Sequence, residues 1–356
     1  MSPTNQAAWL LKANEKLEIK AAEIGKPGRG QVLVKNKAVA INPVDWKIQD
    51  GYLPAENARI LGQDIAGEIV EVGEDVTDFT KGQRVLAHVL GLATGKPEDC
   101  GFQNYSIAPT IGTCPIPDGM SFEEASVLPL ALSTAAVGLF SKDHLALPKP
   151  SHDVEESGKT LLVWGAASSV GSAVVQLAVA AGLKVVATAS KKNFDFCKDL
   201  GASQVFDYNS PGVVGDLTAE LQKHDLAGAY DGKCRPAIFP RLPLTVPSAI
   251  STRDTQLNTS QVLAQLGGGK LALTLPPTDE IPATVTAKSV FAIVLLMQDK
   301  ALGNAIYHDF LPAALKSGQI KPLPKPEVVG NGVESIQAAL DKQRAGVSAV
   351  KIVVTL

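Results

Sequence analysis

The chain has 356 residues, of which 45% are hydrophobic and 19% charged, and its formal net charge is −3. That length suits about two domains, and that apolar share builds a large core, so a disordered chain is excluded. The near-balanced charge excludes an electrostatic nucleic-acid binder, and a 5% aromatic content leaves few base-stacking platforms. The first residues show no basic stretch followed by an apolar one, so no signal peptide is expected. The longest purely apolar run, 290–297, is far short of the roughly 20 residues that span a bilayer. Cys100, Cys114, Cys197 and Cys234 show no paired spacing, which argues against a disulfide scaffold and against a four-cysteine zinc lobe. The expectation is a cytoplasmic α/β protein from a reducing compartment, with no nucleic-acid or membrane partner.

In chain order, strand-like runs at 32–41, 65–72 and 83–89, punctuated by glycine and Asp/Asn, predict a compact barrel-like β domain. Ser121, followed by Glu123 and Glu124, reads as the cap of a helix covering 125–139. A polar connector containing proline follows at 147–159. From residue 160 the rhythm becomes strand (161–164), helix (169–182), strand (184–188), helix (194–200), strand (204–206), helix (212–224) and strand (226–230). Such alternation is the signature of a doubly wound parallel sheet. A helix at 255–266 and strands at 269–275 and 290–296 extend it. The last strand reads either as an exposed edge that pairs across a dimer or as an internal strand, so monomer and homodimer both stay open. The tail predicts a helix at 301–316, a proline-rich strand, a helix at 334–344 and a closing strand at 350–355.

The segment 163–171 (VWGAASSVG) follows a buried strand and opens a helix. Small residues let the backbone approach a pyrophosphate, and the helix N-terminus favours its charge. The second strand then ends in Ser190, Lys191, Lys192 and Asn193, with no carboxylate to bind a ribose 2′-hydroxyl. Two cations and two neutral hydrogen-bonding side chains suit a 2′-phosphate, so the expected cofactor is NADPH.

At these residues the chain resembles the medium-chain dehydrogenase/reductase superfamily over essentially its whole length. The resemblance rests on 40–47 (AINPVDWK), 61–73 (LGQDIAGEIVEVG), 81–85 (KGQRV) and the 165–171 loop. Within the superfamily the chain looks like the zinc-independent quinone/enoyl reductase branch. It is most similar there to fungal trans-acting enoyl reductases, through 42–47, 128–134 (LPLALST) and 188–193 (TASKKN). Zinc-dependent members carry a cysteine where this chain has Asn42 and Pro43, and Gly-His-Glu where it has Gly62, Gln63 and Asp64.

The resemblance implies a GroES-like β-barrel catalytic domain over 1–125 and 299–356, and a Rossmann NADPH-binding domain over 126–298. It also implies hydride transfer from NADPH to an enone, enal or enoyl thioester, free or carried on an acyl carrier, with a polyketide synthase as the partner. A quinone reductase and a non-catalytic NADPH-binding protein are the alternatives. By the same carry-over, Pro43, Val44, Asp45 and Trp46 lie against the nicotinamide half, and Ser168, Ser169, Val170 and Gly171 hold the pyrophosphate. Tyr208 faces the adenine, Thr134 borders cofactor and substrate, and Ser348 is a further cofactor contact. Lys47 is the candidate electrophile or proton donor, because its ammonium could stabilise an enolate; the competing reading is a structural lysine paired with Asp45 or capping a loop. Tyr52 is an outside candidate, none of the five histidines stands out, and Cys197 is expected to be packed. No metal site is expected.

Residues 232–248 do not fit the pattern. These 17 residues hold four of the chain's 23 prolines and no acid, which forbids helix and interior strand. Their opening Gly-Lys can be encoded by GGTAAG, a 5′ splice-site consensus, and joining Asp231 to Ala249 restores the family's strand end. The segment therefore reads as a translated intron or, alternatively, as a genuine surface insertion.

Overall fold

In the computed structural model, which describes residues 4–51, 58–233 and 252–356, the chain opens with strands β1 (Asn5–Leu10) and β2 (Glu18–Ala22), paired antiparallel. The long strand β3 (Gln31–Ala40) runs into a short helix, α1 (Pro43–Gln49). Then come β4 (Arg59–Ile60), β5 (Asp64–Val72), β6 (Arg84–His88), α2 (Gly91–Thr94), β7 (Tyr105–Pro109) and β8 (Thr113–Pro115). Helices α3 (Phe122–Ser126) and α4 (Pro129–Phe140) lead into the sheet unit. That unit is built from β9 (Lys159–Trp164), α5 (Ser169–Ala180), β10 (Lys184–Ala189), α6 (Phe194–Asp199), β11 (Gln204–Asp207), α7 (Val213–Leu221) and β12 (Asp225–Asp231). It continues with α8 (Thr252–Gln265), β13 (Gly269–Leu273) and β14 (Val285–Ser289). After α9 (Val294–Met297) and α10 (Lys300–Asn304), a π-helical turn at Ala305–Phe310 passes into α11 (Leu311–Ser317). The chain closes with β15 (Lys325–Asn331), α12 (Ile336–Ala345) and β16 (Val350–Thr355).

Two units result, Met1–Ser133 with Leu295–Leu356, and Thr134–Val294. In the first, the strand order is β15-β16-β3-β5-β6-β8, with β7 also on β3. All these pairs are antiparallel except β15–β16. Val34, Ile41, Ile65, Ile69, Val85, Phe102 and Ile352 fill its core. This is the expected GroES-like β-barrel architecture. In the second unit the order is β11-β10-β9-β12-β13-β14, all parallel. This is the Rossmann order, in which the chain leaves the central pair β9 and β12 in opposite directions. Strand β9 (KTLLVW) is buried from its second residue onward, as a strand covered on both faces must be.

Three expectations need correction. The apolar run 290–296 is not a strand; the edge strand is β14, and the run forms a turn followed by the start of α9. A short continuous apolar run carries no period that separates strand from buried helix. Second, the helix expected over 125–139 is two helices. Ser121 caps α3, accepting from the Glu124 N–H at 3.1 Å while the Glu124 carboxylate accepts from the Ser121 N–H at 2.9 Å. Pro129 then starts α4, as proline does at a first helical position. Third, the tail helix expected at 301–316 is interrupted by the π turn. Tyr52 and residues 234–248 lie outside the described residues.

Candidate active site

The residues Pro43, Val44, Asp45, Trp46 and Lys47 share α1. Proline at its first position needs no hydrogen-bond donor there. Asp45, at the third position, accepts from the Asn42 N–H at 2.8 Å and the Gly62 N–H at 3.2 Å. The Asp45 side chain is thus a staple between this helix and the turn before β5, and burial pushes its carboxyl up to about 7. Trp46 is half-buried, and its indole N–H donates to Gln343 Oε1 of α12 at 2.5 Å. Lys47 is 5% exposed, with its Nζ 5.9 Å from the Trp46 ring centroid.

Beside α1 lies an ionic cluster that sequence reasoning missed. Asn42 Nδ2 donates to Asp64 Oδ2 at 2.8 Å, and Asn42 Oδ1 accepts from Lys351 Nζ at 2.5 Å. Lys351 Nζ also stands 3.0 Å from Asp64 Oδ2, and the two side chains are 3% and 0% exposed. The second Asp64 oxygen accepts from the Leu130 N–H at 2.6 Å. An ammonium therefore neutralises the carboxylate and engages the amide at positions where zinc-dependent relatives are expected to carry ligands. Among the described residues, no group of three or more His, Cys, Asp or Glu side chains is placed to hold a metal ion.

His88 pairs with Asp64 across β5 and β6. Tyr307 Oη donates to the Pro129 carbonyl at 2.8 Å, so the Ser133 hydroxyl, 2.7 Å away, donates to Tyr307. His88 Nδ1, 2.9 Å from Ser133 Oγ, must then be the protonated nitrogen. The imidazole is neutral, and burial pushes its pKa down to about 4. This chain is wholly buried and fixes α4 rather than facing solvent.

In the second unit, the segment expected to cradle a pyrophosphate is the turn from β9 into α5. Ser168 caps α5, accepting from the Gly171 N–H at 2.9 Å and donating to the Gly232 carbonyl at 2.9 Å. A Cβ on Gly171 would stand 2.3 Å from the Gly165 carbonyl oxygen, so the turn closes only with glycine there. The first N–H groups of a helix, here those of Ser169 and Val170, have no acceptor within it. Donors of this kind at the start of a helix suit a pyrophosphate. At the end of β10, Lys191–Asn193 form one 3₁₀ turn in which Asn193 Nδ2 donates to Ser190 Oγ at 3.1 Å, while Lys191 and Lys192 are exposed. No carboxylate stands among these four residues. A dinucleotide with a phosphorylated ribose fits this donor set.

Tyr208, half-buried after β11, carries the Lys233 ammonium over its ring at 4.0 Å. Thr134 is 9% exposed, and its carbonyl accepts from Tyr230 Oη at 2.8 Å. Ser348 is exposed in the loop before β16, in the first unit. Of the histidines, His144, His224 and His308 bond to the Ser289 carbonyl, Glu220 and the Thr110 carbonyl, and His152 is exposed. Cys197 is buried, and burial pushes its thiol up to about 12. Lys351 is the residue of the ionic cluster that sequence reasoning passed over, while of Asp64 it read only the departure from Gly-His-Glu. For Lys351 a signal existed, a lone cation inside the apolar run 350–354 of a closing strand, which a buried partner must balance.

The family described as alcohol dehydrogenase GroES-like domain matches residues 28–135, and the one described as zinc-binding dehydrogenase matches 169–240. The chain is 43% identical over 354 residues to the zinc-binding alcohol dehydrogenase domain-containing protein cipB of Emericella nidulans, covering 99% of this chain and 98% of that one. It is 39% identical to the trans-enoyl reductase himH of Aspergillus japonicus, covering 99% and 97%. Among solved structures, an alcohol dehydrogenase superfamily protein from Novosphingobium aromaticivorans superposes with a TM-score of 0.76 at 25% identity, covering 99% of this chain and 100% of that one.

Proposed function

The chain belongs to the medium-chain dehydrogenase/reductase superfamily of oxidoreductases, and from that membership we propose that it is a zinc-independent, NADPH-dependent reductase of activated carbon–carbon double bonds. Its substrates are enoyl thioesters, enones or enals, and it serves a polyketide synthase as a separate enoyl reductase. The observation that carries this reading is the Asn42–Asp64–Lys351 cluster. An ammonium already holds the amide oxygen and the carboxylate there, which supports a reaction that does not use the Lewis acid an alcohol dehydrogenase needs. A relative named as a trans-enoyl reductase, alike over nearly the whole chain, supports the same direction.

NADPH, when bound, supplies a hydride to the β-carbon of the double bond. The Ser169 and Val170 N–H groups would hold its pyrophosphate, whereas both Ser168 donors are engaged by the Gly165 and Gly232 carbonyls, so Ser168 shapes the turn instead of binding. Ser190, Lys191, Lys192 and Asn193 receive the 2′-phosphate and so select NADPH over NADH. As the β-carbon is reduced, negative charge grows on the substrate carbonyl oxygen. The Lys47 ammonium stabilises that enolate oxygen or delivers the proton that the α-carbon takes up. Asp45 positions Lys47 by stapling α1 to the Gly62 turn.

The test is NADPH oxidation with enoyl thioesters, alkenals and quinones as acceptors, for the wild type, Lys47→Met and Lys47→Arg. Turnover of enoyl thioesters or alkenals that drops by about a hundredfold or more in Lys47→Met is expected. A chain that binds NADPH yet reduces no acceptor, or that reduces quinones alone, would overturn the reading.

A further inference from the structure

In an open parallel sheet, ligands lie in the crevice outside the carboxyl ends of the strands, where the strand order reverses. Here that place is the pair β9 and β12. The loop after β9 is the phosphate loop, and Gly232 and Lys233 come directly after β12. Both are fixed by their backbone. The Gly232 N–H donates to the Trp164 carbonyl at 3.0 Å, and a Cβ on Gly232 would stand 2.9 Å from the Gly171 nitrogen. The Lys233 N–H donates to Asp231 Oδ1 at 3.0 Å, and its carbonyl accepts from Thr274 Oγ1 at 2.7 Å. Asp231 is held in turn by Thr255 Oγ1 at 2.6 Å.

With its backbone tied down, the Lys233 side chain runs over the crevice. Its Cγ stands 2.8 Å from the point a Cβ on Gly165 would occupy, so the stem lies against the phosphate loop. Its ammonium rests over the Tyr208 ring at 4.0 Å. The arrangement sets a cation near the start of α5, where the helix dipole disfavours positive charge and favours an anion.

We propose that Lys233 is a pyrophosphate clamp. The ammonium leaves the Tyr208 ring when a nicotinamide dinucleotide enters, and pairs with a pyrophosphate oxygen held by the Ser169 and Val170 N–H groups. The stem stays against Gly165, and the vacated ring becomes available to the adenine. This rests on the reading that the chain binds such a dinucleotide. It gives the opening residues of the aberrant 232–248 segment a role in binding.

The experiment is titration of the full chain, wild type, Lys233→Met and Lys233→Arg, with NADPH, NADH and adenosine, followed by calorimetry. Met keeps the stem and loses the charge. The expected result is that Lys233→Met weakens NADPH and NADH alike by about tenfold to a hundredfold. Lys233→Arg should stay within about threefold of wild type, and adenosine should bind Lys233→Met no more weakly than wild type. Lys233→Gln, read the same way, replaces Met if that variant does not fold. Three results would overturn the clamp: unchanged or tighter NADPH binding in Lys233→Met, a loss confined to NADPH, or an equal loss for adenosine. A wild type that binds NADPH and NADH no better than it binds adenosine would overturn the proposed cofactor use itself, and the clamp with it.

Discussion

Replacing Lys351 by methionine keeps most of the side chain's volume and removes its ammonium. Asp64, 0% exposed, would keep two donors, Asn42 Nδ2 and the Leu130 N–H, but lose the cation 3.0 Å from its carboxylate. Breaking a buried pair from one side costs about 3–5 kcal/mol, because the remaining charge is left uncompensated. Both partners are almost fully buried, so solvent screens little of this. For a unit of about 200 residues, each kcal/mol moves the melting midpoint by about 2–4 °C, so a drop of about 6–20 °C is expected. Adding Asp64→Asn removes the stranded charge, so the double variant should be more stable than the sum of the two single losses allows. Asn42, the other acceptor of the ammonium, opens the helix that carries Lys47, so turnover by the folded fraction should fall as well. Calorimetry on wild type, both single variants and the double variant measures this. A Lys351→Met variant within about 0.5 kcal/mol of wild type, or strict additivity in the cycle, would refute the reasoning.

Gly171→Ala should raise the dissociation constant for NADPH by about tenfold or more, because its Cβ meets the Gly165 carbonyl oxygen at 2.3 Å and must displace the loop; an unchanged fluorescence titration would count against the phosphate-loop assignment. Changing Lys191 and Lys192 together to alanine should weaken NADPH by about tenfold or more and leave NADH nearly unaffected, and equal losses for both would remove these lysines from the 2′-phosphate. Asp45, with a carboxyl pushed up to about 7 by burial, retains a proton that the unfolded chain has released above about 4, so folding takes up a proton in that window and stability falls as pH rises through it. Asp45→Asn lacks that dependence and should gain on wild type by up to about 4 kcal/mol between pH 4 and 7 in denaturant titrations, whereas a pH-independent difference would contradict the burial of Asp45. Dialysis against a chelator should leave the rate of NADPH oxidation unchanged; a loss restored by zinc would show that the Lys351 ammonium does not preclude a metal.

The sheet unit was legible because its signals are local. A buried strand, a small-residue turn and an apolar helix follow one another within 159–180, and β10, β11 and β12 repeat the pattern. The first unit was less legible. Strand β1 reads NQAAWL and β2 reads EIKAA, with too little alternation or β-branching to announce a hairpin, and α1 spans seven residues, too few to show a helical period. The run 290–296 misled for the same reason in reverse: it is apolar, but Leu295 and Leu296 are buried in a helical turn while Phe291 is 63% exposed. The candidate site residues that could be named from sequence were those whose motif is contiguous, 42–47, 168–171 and 190–193. The Asp64–Lys351 pair was not, because its members come together only when β16 closes beside β3 and β5, and no local pattern records that register. Lys233 was hidden differently. It lies at the start of a segment read as a translated intron or a surface insertion, and its backbone bonds tie it to Asp231 and Thr274.

The most direct measurement uses NADPH labelled with deuterium at C4 and an enoyl thioester, with the label located in the product by mass spectrometry and NMR. Double-bond reduction places the deuterium on the β-carbon of a saturated thioester, and a solvent hydrogen on its α-carbon. Deuterium on a former carbonyl carbon, in an alcohol product with the double bond intact, would contradict the proposed chemistry.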